Sequence, residues 1–363
     1  MKLEELKDRA VSPPFPPVTG GASLRDDGAI GVAPTSELPP PGPIPGQMTV
    51  EEALALPEGA AVTEEFVTEK TPSGLEIYYS WAPKRLYRLM ALDDSWIEVP
   101  SVTNVLGVLD KSGALTWWGM KVGVEGVLKL GDDFGLWPRV CESTVDQLVE
   151  LLTEHKLTVN HVKNAAADRG VNVHGALEHW CETGKIPDPD LFKEHEQGYI
   201  VGLVHFLTDI QRSVNRDAIR AELMVGSLEH LYAGRFDLDL LLEEPCELVT
   251  RCYPKRADKI ETIPGGLYRN DAKTSKRVYD SHALQLEAYE GAAIECGYPA
   301  SDYRAVIHLM EDGRYEFVVS EGWTFGDFLT IRKCYAVMSE RDKLKNEREV
   351  EAELRLMGAT DVE

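Results

Sequence analysis

Residues 266–291, GLYRNDAKTSKRVYDSHALQLEAYEG, contain the pattern that decides the fold of this chain. The first part alternates as a strand does and places Asp271 and Lys273 two residues apart, so both side chains project from one face. The second part has helical spacing, with Gln285 and Tyr289 one turn apart on one helix face. The stretch therefore predicts a strand with a carboxylate and a lysine on one face, followed directly by a helix.

An upstream strand, AGRFDLDLLLE at 233–243, supplies two further carboxylates. Asp237 and Asp239 are two residues apart, so both are expected to point away from the apolar residues around them. Two acidic side chains on one face of a buried strand are costly unless they are solvated, paired or bound to a cation. For Asp239 we expect an edge strand whose polar face meets water. For Asp237, together with Asp271 and Lys273, we expect a metal site.

The order of elements along the chain predicts an α/β fold around a mixed sheet. Helical tracts come first, several strand-like segments follow, and then come a helix, a hairpin with a turn at Asp312 and Gly313, and a last helix. The expected divisions are a disordered proline-rich leader, an N-terminal region of helices and short strands, the α/β core, and a charged C-terminal tail or helix. These divisions cover residues 1–48, 49–157, 158–340 and 341–363, and the leader holds ten of the 21 prolines.

The composition is that of a soluble globular protein, with 43% hydrophobic and 27% charged residues in a chain of 363. No apolar run approaches the ~20 residues that span a bilayer, and the N-terminus lacks the apolar core of a secretory signal. We therefore expect a cytoplasmic protein without membrane contact. The six cysteines are scattered, which favours reduced thiols over disulfides or a zinc site.

The charge is strongly acidic overall but locally basic in one segment. A net charge of −23 argues against nucleic acid coating the whole surface. Segment 251–277 nevertheless has eight basic and three acidic residues, a local charge of +5. This asymmetry indicates one basic track on an acidic surface, and a loop of solvated lysines is the alternative interpretation.

Five sequence blocks occur in order between 169 and 289: RGVNVHGALE, AEL, AGRFD, DAKTSK and QLEAY. In this order they resemble the PD-(D/E)xK nuclease superfamily, in particular its RecB-like branch, which includes phage-type exonucleases. The stretch SVTNVLGVLDKSGALTWW, at 101–118, is similar to the N-terminal region of phage members. The resemblance implies a restriction-endonuclease-like core, which is a mixed central β-sheet flanked by helices. The segment 243–266 lengthens the interval between the two carboxylate strands, and we interpret it as an inserted hairpin or loop.

The resemblance also implies a role for individual residues. The implied catalytic residues are Asp237, Asp271 and Lys273. The implied metal ligands are His174, Asp237, Asp271, the backbone carbonyl of Ala272, and Glu222. The implied substrate-binding residues are Gln285 and Tyr289, with Arg235, Lys276 and Arg277 as phosphate contacts.

Each of these assignments has a structural alternative. His174 would otherwise pair with Glu178 one helical turn further on. Tyr289 would be half-buried core with its hydroxyl in water, and the basic residues would be ordinary exposed cations. Trp117 and Trp118 lie about 100° apart on a predicted helix, so only one of them can face the core; packing is favoured over base stacking for the other.

The same residue types suit phosphodiester hydrolysis. Carboxylates and a backbone carbonyl are hard oxygen ligands that suit one or two Mg²⁺ or Mn²⁺ ions, and an imidazole favours Mn²⁺. Such ions lower the pKa of water and neutralise negative charge that develops on the phosphate. Lys273 would orient the attacking water or stabilise the phosphate. The chain lacks the C-terminal cysteine cluster of the iron–sulfur relatives, so no iron–sulfur cluster is expected.

The sequence thus predicts a metal-dependent DNA exonuclease that serves phage-type recombination or replication, in the host cytoplasm if the chain is phage-encoded. Two alternatives stay open. One is a structure-specific endonuclease, such as a junction resolvase, on the same core, and the other is a non-catalytic DNA-binding or assembly protein. Besides DNA, the resemblance implies a single-strand annealing protein as partner and a homo-oligomeric ring.

Overall fold

The computed structural model describes residues 65–82, 85–109, 112–251 and 259–356. The predicted leader at 1–48 lies outside the described residues, as do Lys255 and Arg256 of the basic segment and the last residues of the predicted tail. Among the described helices, none combines the length and the apolar character needed to cross a membrane.

The first described part is an antiparallel sheet followed by helices. The sheet has four strands in chain order, β1 (Glu65–Lys70), β2 (Glu76–Ala82), β3 (Leu86–Met90) and β4 (Trp96–Val99). The helices are α1 (Val102–Leu106), α2 (Ser112–Asp132), α3 (Trp137–Glu142) and α4 (Val145–Glu154). Ser101 begins α1 by accepting the Asn104 N–H, and a capping box at Thr144 begins α4.

Seven further strands follow, and five of them form the central sheet. The seven are β5 (Arg220–Ser227), β6 (Tyr232–Leu242), β7 (Cys246–Arg251), β8 (Lys259–Ile263), β9 (Gly266–Lys273), β10 (Tyr303–Leu309) and β11 (Tyr315–Val319). The central sheet has the order β11-β10-β9-β6-β5, in which β9 and β10 are parallel and the other neighbours are antiparallel. The mixed sheet of the predicted α/β fold is therefore present.

Four longer helices accompany this sheet: α5 (Val159–Thr183), α6 (Glu194–Ile210), α7 (Asp280–Glu295) and α8 (Phe325–Leu356). α5 begins after the cap residue Thr158 and ends at Gly184, whose φ of +72° is the left-handed conformation that favours glycine. α7 is the crossover between the parallel strands β9 and β10, the connection that a parallel pair requires. α8 is continuous across the predicted boundary at 340/341, so the start of the predicted tail is helical.

Two apolar clusters hold the helices against the central sheet. One joins α5 and α6 to it through residues such as Val173, Leu177, Phe206, Leu238 and Ile307. The other joins α7, α1 and the N-terminal sheet to it through residues such as Leu284, Tyr289, Val105, Met224 and Leu89. Both clusters include side chains of β6, which places that strand in the interior of the protein.

The interior position of β6 corrects the prediction for Asp239. β6 lies between β9 and β5, so it is not an edge strand, and Asp239 is fully buried. Its carboxylate accepts two hydrogen bonds from Arg269, at 3.0 Å from Nε and 2.9 Å from Nη2. Arg269, which was counted in the basic segment, is fully buried as well. The acid is therefore paired inside the sheet and not solvated.

The simple alternation of β6 also fails at one point. The ring of Phe236 and the carboxylate of Asp239 both contact the Arg269 guanidinium, whose Cζ lies 4.7 Å from the ring centroid. Residues three apart therefore share a side of the sheet, although a regular strand would place them on opposite sides. The irregularity surrounds Asp237, and Glu222 in the adjacent strand has φ +52°.

Two smaller predictions have clear outcomes. The inserted segment contains β7 and β8, which pair antiparallel and confirm the hairpin interpretation. The packing expected for Trp117 and Trp118 is not found, because the two residues are 65% and 36% exposed. The buried apolar side chains of α2 include Val122 and Leu130 instead.

The close approach of α6 to the turn between β10 and β11 requires a small residue at position 198. A Cβ on Gly198 would overlap the carbonyl oxygen of Glu311. We therefore expect Gly198→Ala to lower the free energy of unfolding by about 3 kcal/mol, since backbone cannot yield as a flexible side chain can. Urea unfolding followed by circular dichroism measures the change.

Gly123→Ala is the matched control for this helix substitution. Gly123 lies inside α2 and a Cβ there meets nothing within 4 Å, so alanine should stabilise the protein by ~0.5–1 kcal/mol. Equal effects of the two substitutions would show that the backbone at Glu311 lies farther from Gly198 than described above.

Candidate metal centre

The two carboxylate strands meet at the centre of the sheet. Asp237 lies on β6, and Asp271 and Lys273 lie on β9, with Leu238 paired to Asn270 between the two strands. The Asp237 Oδ2 accepts a hydrogen bond of 2.6 Å from the backbone N–H of Ala272. Both acids are buried. The structure therefore brings Asp237 next to the Asp271–Ala272–Lys273 stretch, although the two acids are 34 positions apart in the sequence.

His174 approaches the same point from α5. Its Nδ1 lies 3.1 Å from Asp237 Oδ1 and 3.9 Å from Glu222 Oε1. Within the described chain no ion pair joins His174 to Glu178, so the alternative of a local helix pair does not hold. The histidine instead connects the helix to the carboxylates of β5 and β6.

Glu222 occupies an unusual backbone position opposite Asp237. Its φ of +52° is in the left-handed region, which a residue with a side chain adopts at a cost in free energy. The Arg235 Nε lies 2.8 Å from Glu222 Oε2 and balances its charge. Such strain occurs preferentially at functional sites, where the surrounding structure holds it in place.

Lys273 neutralises part of the negative charge through an ion pair with Asp271. Both side chains extend from the same face of β9, as the two-residue spacing predicted. The pair is nearly inaccessible to water, with the Asp271 side chain 2% and the Lys273 side chain 17% exposed. The net charge around such a buried pair depends on its neighbours. Here the neighbours are the carboxylates of Asp237 and Glu222 and the imidazole of His174.

The titration behaviour reflects this crowding of buried charges. Burial opposes protonation of His174, but the Asp237 and Glu222 carboxylates outweigh it and raise the pKa of His174 to about 10. Burial raises the pKa of Asp271 to about 6 against the opposing charge of Lys273, with Asp237 adding to the rise. Burial also acts against the ionised form of Asp237, yet His174 holds its pKa below the ordinary value. The charges of His174 and Lys273 thus favour the ionised forms of Asp237 and Asp271, while burial opposes them.

The donor set fits a divalent cation. Ligand atoms of His174, Glu222 and Asp237 all lie within 4.8 Å of one another. Within the described residues, the buried His174 Nδ1 has no directed hydrogen bond, although a carboxylate oxygen lies nearby. Oxygen donors with one imidazole nitrogen suit Mn²⁺ or Mg²⁺. Asp271 stands beside this group of three and faces Lys273.

The predicted substrate-binding residues fall into two groups. Gln285 and Tyr289 are buried, and the Gln285 Nε2 donates to the Tyr289 hydroxyl at 2.7 Å. Lys276 and Arg277 are exposed in the loop after β9, and the Arg277 guanidinium lies over the Tyr279 ring. Arg235 belongs with neither group, because it is bound to Glu222. Of these three predicted phosphate contacts, the two exposed ones are therefore on the loop after β9.

His308 on β10 is a supporting residue that the sequence analysis missed. It is buried, its Nε2 lies 2.7 Å from the Ser275 carbonyl oxygen, and its Nδ1 lies 3.3 Å from Glu316 Oε2. β10 pairs His308 with Lys273, so the histidine holds the loop that follows the lysine. A polar residue inside the apolar strand YRAVIHL was the available signal.

No family model matches this chain, and no curated protein matches it. Among solved structures, the crystal structure of SSO0001 is similar over 46% of this chain and 84% of that chain, with 12% identity. The TM-score of this match is 0.22, which is too low to support an argument about fold or function. The class that fold and site define is thus a mixed α/β protein with a candidate metal centre.

Proposed function

We propose that the chain is a Mg²⁺- or Mn²⁺-dependent DNA exonuclease built on a restriction-endonuclease-like core. One observation carries the proposal: His174, Glu222 and Asp237 converge on the Asp271–Lys273 pair in the interior of a mixed sheet. A lysine beside three carboxylates and an imidazole is not needed for metal binding alone. It suits a reaction in which negative charge develops next to the metal.

The residues divide the work of phosphodiester hydrolysis among them. Asp237, Glu222, Asp271 and His174, with the Ala272 carbonyl, would hold one or two ions. When bound, the ions supply Lewis-acid activation of water and neutralise the phosphate. The Lys273 ammonium lies against Asp271 and would orient the attacking water or stabilise the transition state. Arg235 balances Glu222 and keeps that carboxylate in place.

DNA is the proposed polymer because two exposed cations, Lys276 and Arg277, lie on the loop that follows β9. Lys276 and Arg277 follow the catalytic strand directly, and His308 fixes the backbone between them and Lys273. Phosphates would be held there, while a chain of net charge −23 repels DNA elsewhere. Gln285 and Tyr289 are buried, so they would act on DNA indirectly, by supporting the residues that contact it. A role in phage-type recombination, a single-strand annealing partner and a ring-shaped oligomer rest on the sequence resemblance alone.

Cleavage of end-labelled linear DNA and closed circular DNA, with Mg²⁺, Mn²⁺ or EDTA, tests the proposal. We expect loss of linear DNA only, in the presence of either metal, because an exonuclease requires an end. Nicking of circles would identify the junction-resolvase-like endonuclease instead. DNA that is bound and never cut under any metal would leave a binding or assembly protein.

A further inference from the structure

A second charged group lies on the same two strands as the candidate metal ligands and is not used by the proposed chemistry. Arg269 is fully buried and donates to two carboxylates, Asp239 at 2.9 and 3.0 Å and Glu290 at 2.7 Å. Glu290 in turn accepts from the backbone N–H and the hydroxyl of Ser301, at 2.9 and 2.6 Å. Each charged group of this Arg269 network is therefore hydrogen-bonded.

Stability alone does not explain such a network. Well-packed apolar residues of similar volume stabilise an interior as well as or better than buried ion pairs do. Buried charges do, however, penalise any arrangement in which they lose their partners. A network of this kind is therefore suited to favouring one strand pairing over other compact arrangements of the same chain.

Its members lie next to the candidate metal ligands on three separate elements. Arg269 is two residues before Asp271 on β9, and Asp239 is two residues after Asp237 on β6. Arg269 and Asp239 are also direct partners in the pairing of the two strands. Glu290 on α7 follows Tyr289, the residue that packs against β6. The network thus joins the two strands that carry the ligands to the crossover helix. On each strand its member is two residues from a candidate ligand.

The register of β6 against β9 needs such a device. β6 departs from regular alternation at Asp237, so its apolar pattern alone does not specify which residue faces the metal side. A slip of one residue would exchange the two faces of the strand. It would also separate Arg269 from Asp239 and leave both charges buried without a partner.

We infer that Arg269, held by Asp239 and Glu290, is a positioning residue that sets the separation of the Asp237 and Asp271 carboxylates and thereby the affinity for the metal. The inference rests on the proposed function, in which these two acids are metal ligands. Arg269 itself touches neither the metal nor DNA. Its effect passes through the two strands.

Arg269→Lys tests the inference in the full chain. Lysine keeps the positive charge and loses the planar fork that binds Asp239 through two donors. We expect Mn²⁺ affinity, measured by calorimetry, to fall about tenfold, the low end of the effect of residues that support metal ligands. The Mg²⁺ concentration for half-maximal cleavage should rise by a similar factor, while KM for DNA at saturating metal stays within about twofold.

Tyr315→Phe is the control for loss of a part-buried hydrogen bond that does not involve the two ligand-bearing strands. The Tyr315 hydroxyl donates to Asp209 at 2.5 Å on the far edge strand of the sheet. We expect this variant to lower the melting temperature and to leave Mn²⁺ affinity unchanged. If Arg269→Lys does not fold, Glu290→Gln replaces it, with a smaller loss of affinity in the same direction.

Two results would overturn the inference, and they can be told apart. Wild-type Mn²⁺ affinity in the folded Arg269→Lys or Glu290→Gln variant would show that the network is structural only. A wild-type protein that binds no Mn²⁺ and cuts no DNA would remove the proposed function and the positioning role with it.

Discussion

Replacing Asp271 by asparagine is expected to lower the rate of metal-dependent DNA cleavage by at least about 10³-fold. The substitution keeps the size of a buried side chain, which is 2% exposed, and it removes one negative charge from the ligand set. Metal ions stabilise a transition state by several kcal/mol, and about 4 kcal/mol corresponds to this factor. Single-turnover cleavage of end-labelled linear DNA at saturating Mg²⁺ gives the rate.

The metal itself should also bind more weakly to Asp271→Asn. Calorimetry with Mn²⁺ would separate a lost ligand from a misfolded site, provided that circular dichroism shows a native spectrum. Asp133→Asn is the matched control, because Asp133 is an exposed aspartate on the helical N-terminal region. Activity within about threefold of wild type in Asp271→Asn would remove this acid from the proposed site.

Local periodicity was sufficient to predict the part of the site that lies within single elements. The two-residue spacing of Asp271 and Lys273 predicted a shared face, and the two side chains form an ion pair there. The helix around His174 begins after the cap residue Thr158 and ends at Gly184, and both residue types are typical of these positions. These features depend on a few neighbouring residues, and their rules are visible in the sequence.

Strand order could not be predicted in the same way. Whether Asp239 faces water or Arg269 depends on which strands flank β6, and this depends on pairing with residues some thirty positions away. An alternating pattern describes the faces of a strand but not its place in a sheet. The prediction of a solvated Asp239 was wrong because β6 turned out to be central.

Packing between the two sheets was equally hidden in the sequence. A Cβ on Gly226 of β5 would lie 2.6 Å from the Leu89 side chain, so the N-terminal sheet approaches the strand that carries Glu222 very closely. The short N-terminal strands were expected, but nothing in their composition indicated what they cover. Long-range contacts of this kind arise from the whole core and have no local signature. The position of the N-terminal sheet against β5, the strand that carries Glu222, is therefore known only from the structure.

Replacing Lys273 by alanine is expected to lower the single-turnover rate by about 10²–10³-fold, the loss that follows removal of one preorganised electrostatic group. Metal binding should respond in the opposite way to that of Asp271→Asn. Lys273 forms an ion pair with the Asp271 carboxylate, and its removal makes both oxygens of that carboxylate available to a metal ion. We therefore expect Mn²⁺ to bind at least as tightly as in wild type, although cleavage is slow.

Lys185→Ala, at an exposed lysine after α5, provides the control and should cleave at the wild-type rate. Wild-type cleavage by Lys273→Ala would mean that the ammonium only balances the charge of Asp271, and the centre would then be a metal-binding site without a built-in electrostatic catalyst. Slow cleavage with weakened metal binding would instead indicate that Lys273 maintains the geometry of the ligands. Only slow cleavage with intact metal binding separates the roles as proposed: the carboxylates hold the ion, and the lysine acts on the reacting phosphate.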